Sequence, residues 1–286
     1  MPVKIITDST ADLSAQWAKE HDVTVMPLTV HFGDESYIDG VTIDKETFYQ
    51  KLQSSENLPT TSQVTPHDFQ EEFTKWHDAG YDVVGIFISS ELSGTYQSAH
   101  FAHNALEYDN LYLIDSQHVT FGLALLVNRA VELRDAGASA KEISQEIERL
   151  KDRVMFIGFM QTLEYLRKGG RLSATSAVVG TVLGIKPIVI AKDGKITTFK
   201  KARGKQSAMK AIIQTIEEVG IDEDLPSMTL AHAQAIEDAM TFQELIASSL
   251  PQYTEIVKNP VMVQQLGSVV GTYTGPGCVG AAWFKK

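Results

Sequence analysis

The chain has 286 residues, with 25 Lys and Arg against 36 Asp and Glu, a net charge of −11 and a pI near 5.2. Its length predicts about two domains, and its 43% hydrophobic and 21% charged residues are ordinary for a globular protein. The acidic balance repels phosphate backbones and anionic membrane surfaces, so no nucleic-acid partner is expected.

The first segment, "MPVKIITDST", starts a strand at once and has no signal-peptide anatomy. A single cysteine, Cys278, rules out an intrachain disulfide framework and fits a reducing compartment. No run approaches the ~18 uninterrupted apolar residues of a transmembrane helix, so no transmembrane segment is expected. The expected location is cytoplasmic.

Along the chain, "VKIIT" reads as a strand, residues 11–22 as an amphipathic helix, "VTVMPLTVHF" as a strand and "DKETFYQKLQ" as a helix. Residues 65–80 form a further helix: Thr65 suits the N-cap, Pro66 the first position, Asp68 the first turn and Gly80 the stop. Strand 82–88, helix 94–107, strand 110–115 and a long apolar helix over 119–136 follow, and "SAKE" at 139–142 is a capping box. Apolar strands alternating with helices predict a parallel sheet covered on both faces.

The texture changes near residue 153. "VMFIGFM" reads as a strand, "LEYLRKGG" as a short helix, and "KPIVIAKDGKITTFKKA" as a hairpin turning at Asp193-Gly194. Strand–helix alternation then continues through "SMTLAHA", helix 236–249, strand "TEIVKN" and strand "GCVGAAWF". The fold class expected is α/β in two domains. Residues 1–153 form an N-terminal parallel-sheet domain and 154–286 a C-terminal domain with a mixed sheet, with the ligand near the interface.

Polar clusters fall where apolar runs end: "TDST" (7–10), "PTTSQVTP" (59–66), "SSELSGTYQSA" (89–99) and "IDSQH" (114–118). Strand carboxyl ends of a parallel sheet gather at one edge, where ligands bind and helix N-termini favour anions. Asp8, Ser9, Thr61, Ser62, Ser93 and Asp115 are therefore candidate neighbours. Ser93 has three readings: helix N-cap, anion holder, or nucleophile. The nucleophile elbow G-x-S-x-G is absent, since Glu91 stands at its first glycine, and His118 lies in no recognisable motif.

No Cys pair or H-x-x-x-H spacing supports a metal site, and neither a Walker loop nor G-x-G-x-x-G supports a nucleotide cofactor. Dense positive charge is confined to "LRKGGRLS" (166–173) and "KKARGKQSAMK" (200–210), which fit either solvated loops or an anion pocket.

Taken in order, "TDST", "PTTSQVTP", "SSELSGTYQSA", "IDS", "YLRKGGRLS", "GTVLGIKPI", "KARGKQSA" and "GTYTGPGCVG" resemble the DegV family from residue 3 to about 284. The resemblance implies a non-catalytic protein that binds a long-chain fatty acid, such as a C16 or C18 acid, with no other cofactor. It implies a fatty-acid kinase catalytic subunit as partner, phosphorylating the presented carboxylate to an acyl-phosphate for phospholipid synthesis. By the same resemblance the carboxylate falls to Thr61 and Ser93, and secondary head-group or partner contacts to Ser62, Gly94, Arg171, Arg203 and Tyr273. Kinase-linked members often carry His where Tyr273 stands; a phenol donates a hydrogen bond but carries no positive charge near neutral pH.

The apolar segments 119–127 and 177–185 fit a tunnel lining or ordinary core equally well. A serine-dependent acyl-ester hydrolase using Ser93 is the alternative from the enzyme class, and a nucleotide- or phosphosugar-binding protein using the basic loops is a third.

Overall fold

A computed structural model describes residues 1–106, 108–174, 184–258 and 263–286. The first half holds β1 (Val3–Asp8), α1 (Ala15–Glu20), β2 (Val23–Met26), β3 (Thr29–Phe32), β4 (Glu35–Ile38), α2 (Lys45–Ser54) and β5 (Thr60–Ser62). It continues with α3 (Pro66–Asp78), β6 (Asp82–Phe87), α4 (Thr95–Leu106), β7 (Leu111–Asp115), α5 (Thr120–Asp135) and α6 (Ala140–Leu150). The second half holds β8 (Val154–Phe159), α7 (Glu164–Lys168), β9 (Ile185–Lys192), β10 (Lys195–Arg203), α8 (Lys205–Val219) and β11 (Met228–His232). It ends with α9 (Ile236–Ser249), α10 (Thr254–Val257), β12 (Val263–Gln265), α11 (Ser268–Thr274) and β13 (Val279–Phe284).

The expected fold class is the one observed: an N-terminal parallel sheet in the order β2-β1-β6-β7 and a separate C-terminal mixed sheet in the order β10-β9-β8-β13-β11-β12. A small antiparallel sheet, β4-β3-β5, accompanies the first. In the parallel sheet the chain leaves β1 to one side for β2 and returns on the other for β6, which makes the β1/β6 junction the topological switch point. The N-cap expected at Thr65 and the capping box expected at Ser139/Glu142 are both formed, and Asp68 completes a capping box with Thr65 as well. Asp193 and Gly194 take φ of 50° and 75°, the left-handed pair that a tight β9–β10 turn requires.

Helix α5 holds the architecture together. It packs on β1 and β6 from one side and on β8, β11 and β13 from the other. Phe121, Leu123, Leu126 and Val127 are all buried, and Ala130 and Val131 continue the apolar run. The first two turns of α5, residues 120–127, are buried on every side and have no solvent-facing solution, whereas Glu132 and Asp135 nearer its end are exposed. One core accordingly runs from Ile5 and Ile86 through Leu123 and Leu126 to Phe156 and Phe284. The mixed sheet alternates at period two: Phe156 and Phe284 face that core, whereas Ile157 and Trp283 face a second one with Ile212 and Phe242 of α8 and α9.

Several elements differ from the sequence-based expectation. The run 23–32 divides at Pro27 into β2 and β3, which belong to different sheets; proline donates nothing to a ladder and marks the corner. Only Ala15–Glu20 of the segment 11–22 is α-helical, capped by Ser14, because Asp12 sits in the left-handed region at φ 55°. "PTTSQ" does not end a parallel strand but forms β5 of the small sheet. Of the expected strand "TEIVKN", Thr254–Val257 is instead a helical turn, with Tyr253 and Val257 buried at the i, i+4 spacing of one helix face, and residue 259 lies outside the described residues. The glycine-rich 271–280 is half helix, since α11 runs through Thr274 before the turn into β13.

The shared core predicts that truncating Leu123, fully buried in α5, to alanine costs about 2–5 kcal/mol. Because α5 belongs to both sheets, urea unfolding followed by far-UV circular dichroism and tryptophan fluorescence should shift as one transition, not two.

Candidate functional site

The switch point is built by a buried carboxylate. Asp8, at the end of β1, accepts the Thr10 N–H at 2.9 Å and the Thr10 hydroxyl at 2.5 Å through Oδ1, and the Ile88 N–H at 2.8 Å through Oδ2. It thus ties the β1 end to the β6 end. Burial raises its pKa from 3.8 to about 6, against the lowering effect of these donors. The neighbouring Ser9 hydroxyl accepts the Leu28 N–H at 3.1 Å, whereas Asp115 is engaged with Ser90.

A second set of carboxylates fastens α11 across the molecule. Asp12 Oδ1 accepts the Gly267 N–H at 2.7 Å, and Asp39 Oδ1 accepts the Ser268 N–H at 3.1 Å and the Ser268 hydroxyl at 2.5 Å. These satisfy the open N–H groups of the first turn and oppose its positive end. Lys45 Nζ donates to Gln265 O at 2.5 Å, and Gly271 lets α11 come so close to α2 that an added Cβ would lie 2.5 Å from Phe48. Burial pushes the Asp12 carboxyl from 3.8 up to about 7, with Lys45 opposing.

Below these clamps lies a cavity with an empty volume of about 760 Å³, its open mouth included. Phe121, Phe156, Met160, Val189, Ile196 and Leu266 are among its apolar walls, and the Cys278 thiol faces it with a pKa pushed to about 12 by burial. The polar contribution comes mainly from one end. There Thr61 Oγ1 lies 2.7 Å from Tyr273 OH, and the Arg171 guanidinium stacks on the Tyr273 ring with Cζ 4.7 Å from the centroid. Arg171 is held by donating through Nε to Leu92 O at 3.1 Å and through Nη1 to Gly169 O at 2.8 Å. Gly169 makes room for the stack, since an added Cβ would lie 2.4 Å from Tyr273 Cδ1. Ser93 also lines the cavity; its Oγ accepts the Thr95 N–H at 3.3 Å and lies 3.0 Å from Thr95 Oγ1.

Of the residues named from the sequence, Thr61, Ser93, Arg171 and Tyr273 therefore meet at one cavity. Gly94 stands beside them: an added Cβ would lie 2.0 Å from Gln63 Oε1, whose amide reaches Ser98 Oγ at 2.7 Å and joins the end of β5 to α4. Ser62 points the other way, as strand alternation dictates, and lies 2.7 Å from His31 Nε2. Arg203 is exposed at the end of β10, outside the cavity lining. Of the apolar segment 177–185, residues 177–183 lie outside the described residues.

Thr10 of the "TDST" cluster and Thr120 of the apolar segment 119–127 line the cavity as well, and so does Gly158, which had no sequence signal of its own. Gly158 is required where β8 meets β13, because a Cβ would lie 3.1 Å from Val279 O. Thr120 holds φ 48°, a strained value for a β-branched residue, at the start of α5.

The described residues lining the cavity include no His, Asp or Glu to serve Ser93 as a base. His118 is buried and accepts no role there: its Nε2 lies 3.0 Å from Lys151 O, and burial lowers its pKa to about 4. The arrangement suits holding an apolar chain with a polar or anionic end.

A family model described as an uncharacterised protein family, DegV, matches residues 2–286. A DegV domain-containing protein of Clostridium perfringens is 34% identical over 274 residues, covering 96% of this chain and 95% of the relative. Among solved structures, a fatty-acid-binding DegV family protein from Thermus thermophilus has a TM-score of 0.89 at 28% identity, covering 100% of both chains. A stearic-acid-binding protein from Eubacterium ventriosum has a TM-score of 0.87 at 26% identity, covering 99% of this chain and 98% of its own.

The buried carboxylates predict a pH dependence. With folded pKa values of about 6 and 7 against 3.8, Asp8 and Asp12 contribute stability fully present below about pH 4 and lost as pH rises through 6 to 7. His118, lowered from 6.5 to about 4, works oppositely, its contribution being lost as pH falls through that range. Asp12→Asn keeps an acceptor for Gly267 and should remove up to about 1.4 kcal/mol per pH unit of downward slope between roughly pH 4 and 7. Urea midpoints of both proteins across that range check it; parallel curves would refute the assignment.

Proposed function

The chain belongs to the DegV family, and from that premise we propose that it binds a long-chain fatty acid in this cavity, with the carboxylate held by Thr61 and Ser93. The observation that carries this reading is an apolar cavity whose one polar end gathers Thr61, Ser93, Arg171 and Tyr273. An acyl chain of about 16 carbons gains about 0.8 kcal/mol for each methylene taken from water, before ordering costs. A carboxylate leaving water needs charge-assisted hydrogen bonds, which the two hydroxyls donate. The Thr61 and Tyr273 hydroxyls lie 2.7 Å apart; the incoming carboxylate accepts from both. Arg171 supplies the positive charge that a tyrosine cannot.

In this reading the protein is not an enzyme. It presents the carboxylate to a fatty-acid kinase catalytic subunit in the cytoplasm, and the acyl-phosphate feeds phospholipid synthesis. The mouth supports that role, because Thr61, Arg171 and Tyr273 also border an open basin through which the head group is reachable. The exposed Ser62 and Arg203 are then partner contacts. Residues 1–153 and 154–286 are the two domains, with the change of sheet at β8 in support.

Denaturing extraction and mass spectrometry of the purified protein should release a C14–C18 acid at close to one per chain. Thr61→Ala with Ser93→Ala should weaken palmitate binding by about tenfold to a hundredfold, as loss of hydrogen bonds to a charged group implies. An empty protein whose affinity is indifferent to both substitutions would overturn the reading.

A further inference from the structure

The basin outside the mouth is larger than a carboxylate needs. Its empty volume is about 1040 Å³, open solvent included, and it shares Thr61, Arg171 and Tyr273 with the apolar cavity. A free fatty acid with its carboxylate at Thr61 leaves this space to water. The walls come from separate parts of the fold: the 56–60 approach to β5, helix α7 and helix α11. Lys168 and Arg171 bring two positive charges to the lining and Glu56 one negative charge. Asn57, Thr60 and Tyr165 add amide and hydroxyl groups. Lys168 is about half exposed and ion-paired with Glu164 at 2.6 Å, so its charge is available but moderated. One net positive charge among hydroxyls and an amide matches a head group with a single negative charge and hydroxyls of its own, rather than a dianion.

We propose that cavity and basin together accept a lysophospholipid with one net negative charge, its acyl chain in the cavity and its phosphodiester and polyol in the basin. The inference rests on the fatty-acid reading and extends it to a second ligand class. The ester carbonyl replaces the carboxylate oxygens at Thr61 and Ser93. Arg171, which borders both spaces, lies between ester and phosphodiester. Lys168 faces the phosphodiester from α7, and the terminal polyol reaches Asn57 and Thr60. A zwitterionic lysolipid has the same chain but brings a cation to a lining that is already positive.

The test is competition calorimetry on the full chain, stripped of lipid and kept below micellar concentrations. The ligands are palmitate, 1-palmitoyl-lysophosphatidylglycerol and 1-palmitoyl-lysophosphatidylcholine. The expected result is one-to-one binding of lysophosphatidylglycerol that palmitate displaces, weakened by added salt and tighter than the choline analogue. Lys168→Glu, on an exposed side chain outside the carboxylate contacts, should weaken lysophosphatidylglycerol by about fivefold or more and leave palmitate within about twofold. Palmitate binding without lysophosphatidylglycerol binding overturns this inference alone. So does equal affinity for the choline analogue, or a Lys168→Glu effect that is absent or the same on both ligands. Failure of every ligand to bind overturns the fatty-acid reading beneath it.

Discussion

A helical segment without a polar face is stable only where protein meets it on every side, and the first two turns of α5 impose that condition on the whole molecule. Its buried side chains require a sheet above and a sheet below, which the β1/β6 pair and the β8/β13/β11 group supply. Neither sheet can complete its core without it. The cavity is a consequence of the same packing: Thr120 and Phe121 at the start of α5 contribute to its wall, and Phe121 stacks on Phe156 with centroids 4.4 Å apart.

The polar mouth depends on a different device. Tyr273 lies far along the chain from Thr61, and what brings α11 to β5 is a set of buried aspartates accepting from the first turn of α11. Those carboxylates are costly to bury, as the raised values of Asp8 and Asp12 register, and their hydrogen bonds to backbone N–H groups offset the cost. Structural polar groups thus occupy the switch point itself. The acidic residues nearest the β1 end position the site, and none of them is among the described residues lining the cavity, where Thr61, Ser93 and Arg171 stand.

A phenol, not an ionisable imidazole, stands at position 273. A tyrosine that stacks beneath a guanidinium and donates one hydrogen bond orders the mouth without changing its charge near neutral pH. The positive charge bordering the cavity itself is that of Arg171, whereas Lys168 lines only the outer basin.

Local patterns carried much of this from the start. The capping boxes, the Asp193-Gly194 turn, the long apolar helix and the strand–helix alternation were legible because each depends on residues within a turn or two of one another. Short apolar runs were not: "TEIV" has the composition of a strand, and only packing against α9 and β11 decided for a helix. The chemistry-bearing residue types were legible too, with Thr61, Ser93, Arg171 and Tyr273 marked by motif, and strand alternation turns Ser62, marked only as a secondary contact, away from the cavity towards His31. Nothing in the local sequence of Asp12 or Asp39 announces that they hold a helix more than two hundred residues away. The amino-acid sequence by itself therefore determined most of the elements, the fold class and the hydroxyl-rich candidates, since those follow from near-neighbour sterics and periodicity. Only the tertiary structure decided that the hydroxyls, the guanidinium and the phenol share one mouth on an apolar cavity, because a cavity is made by side chains distant in sequence that stop short of meeting.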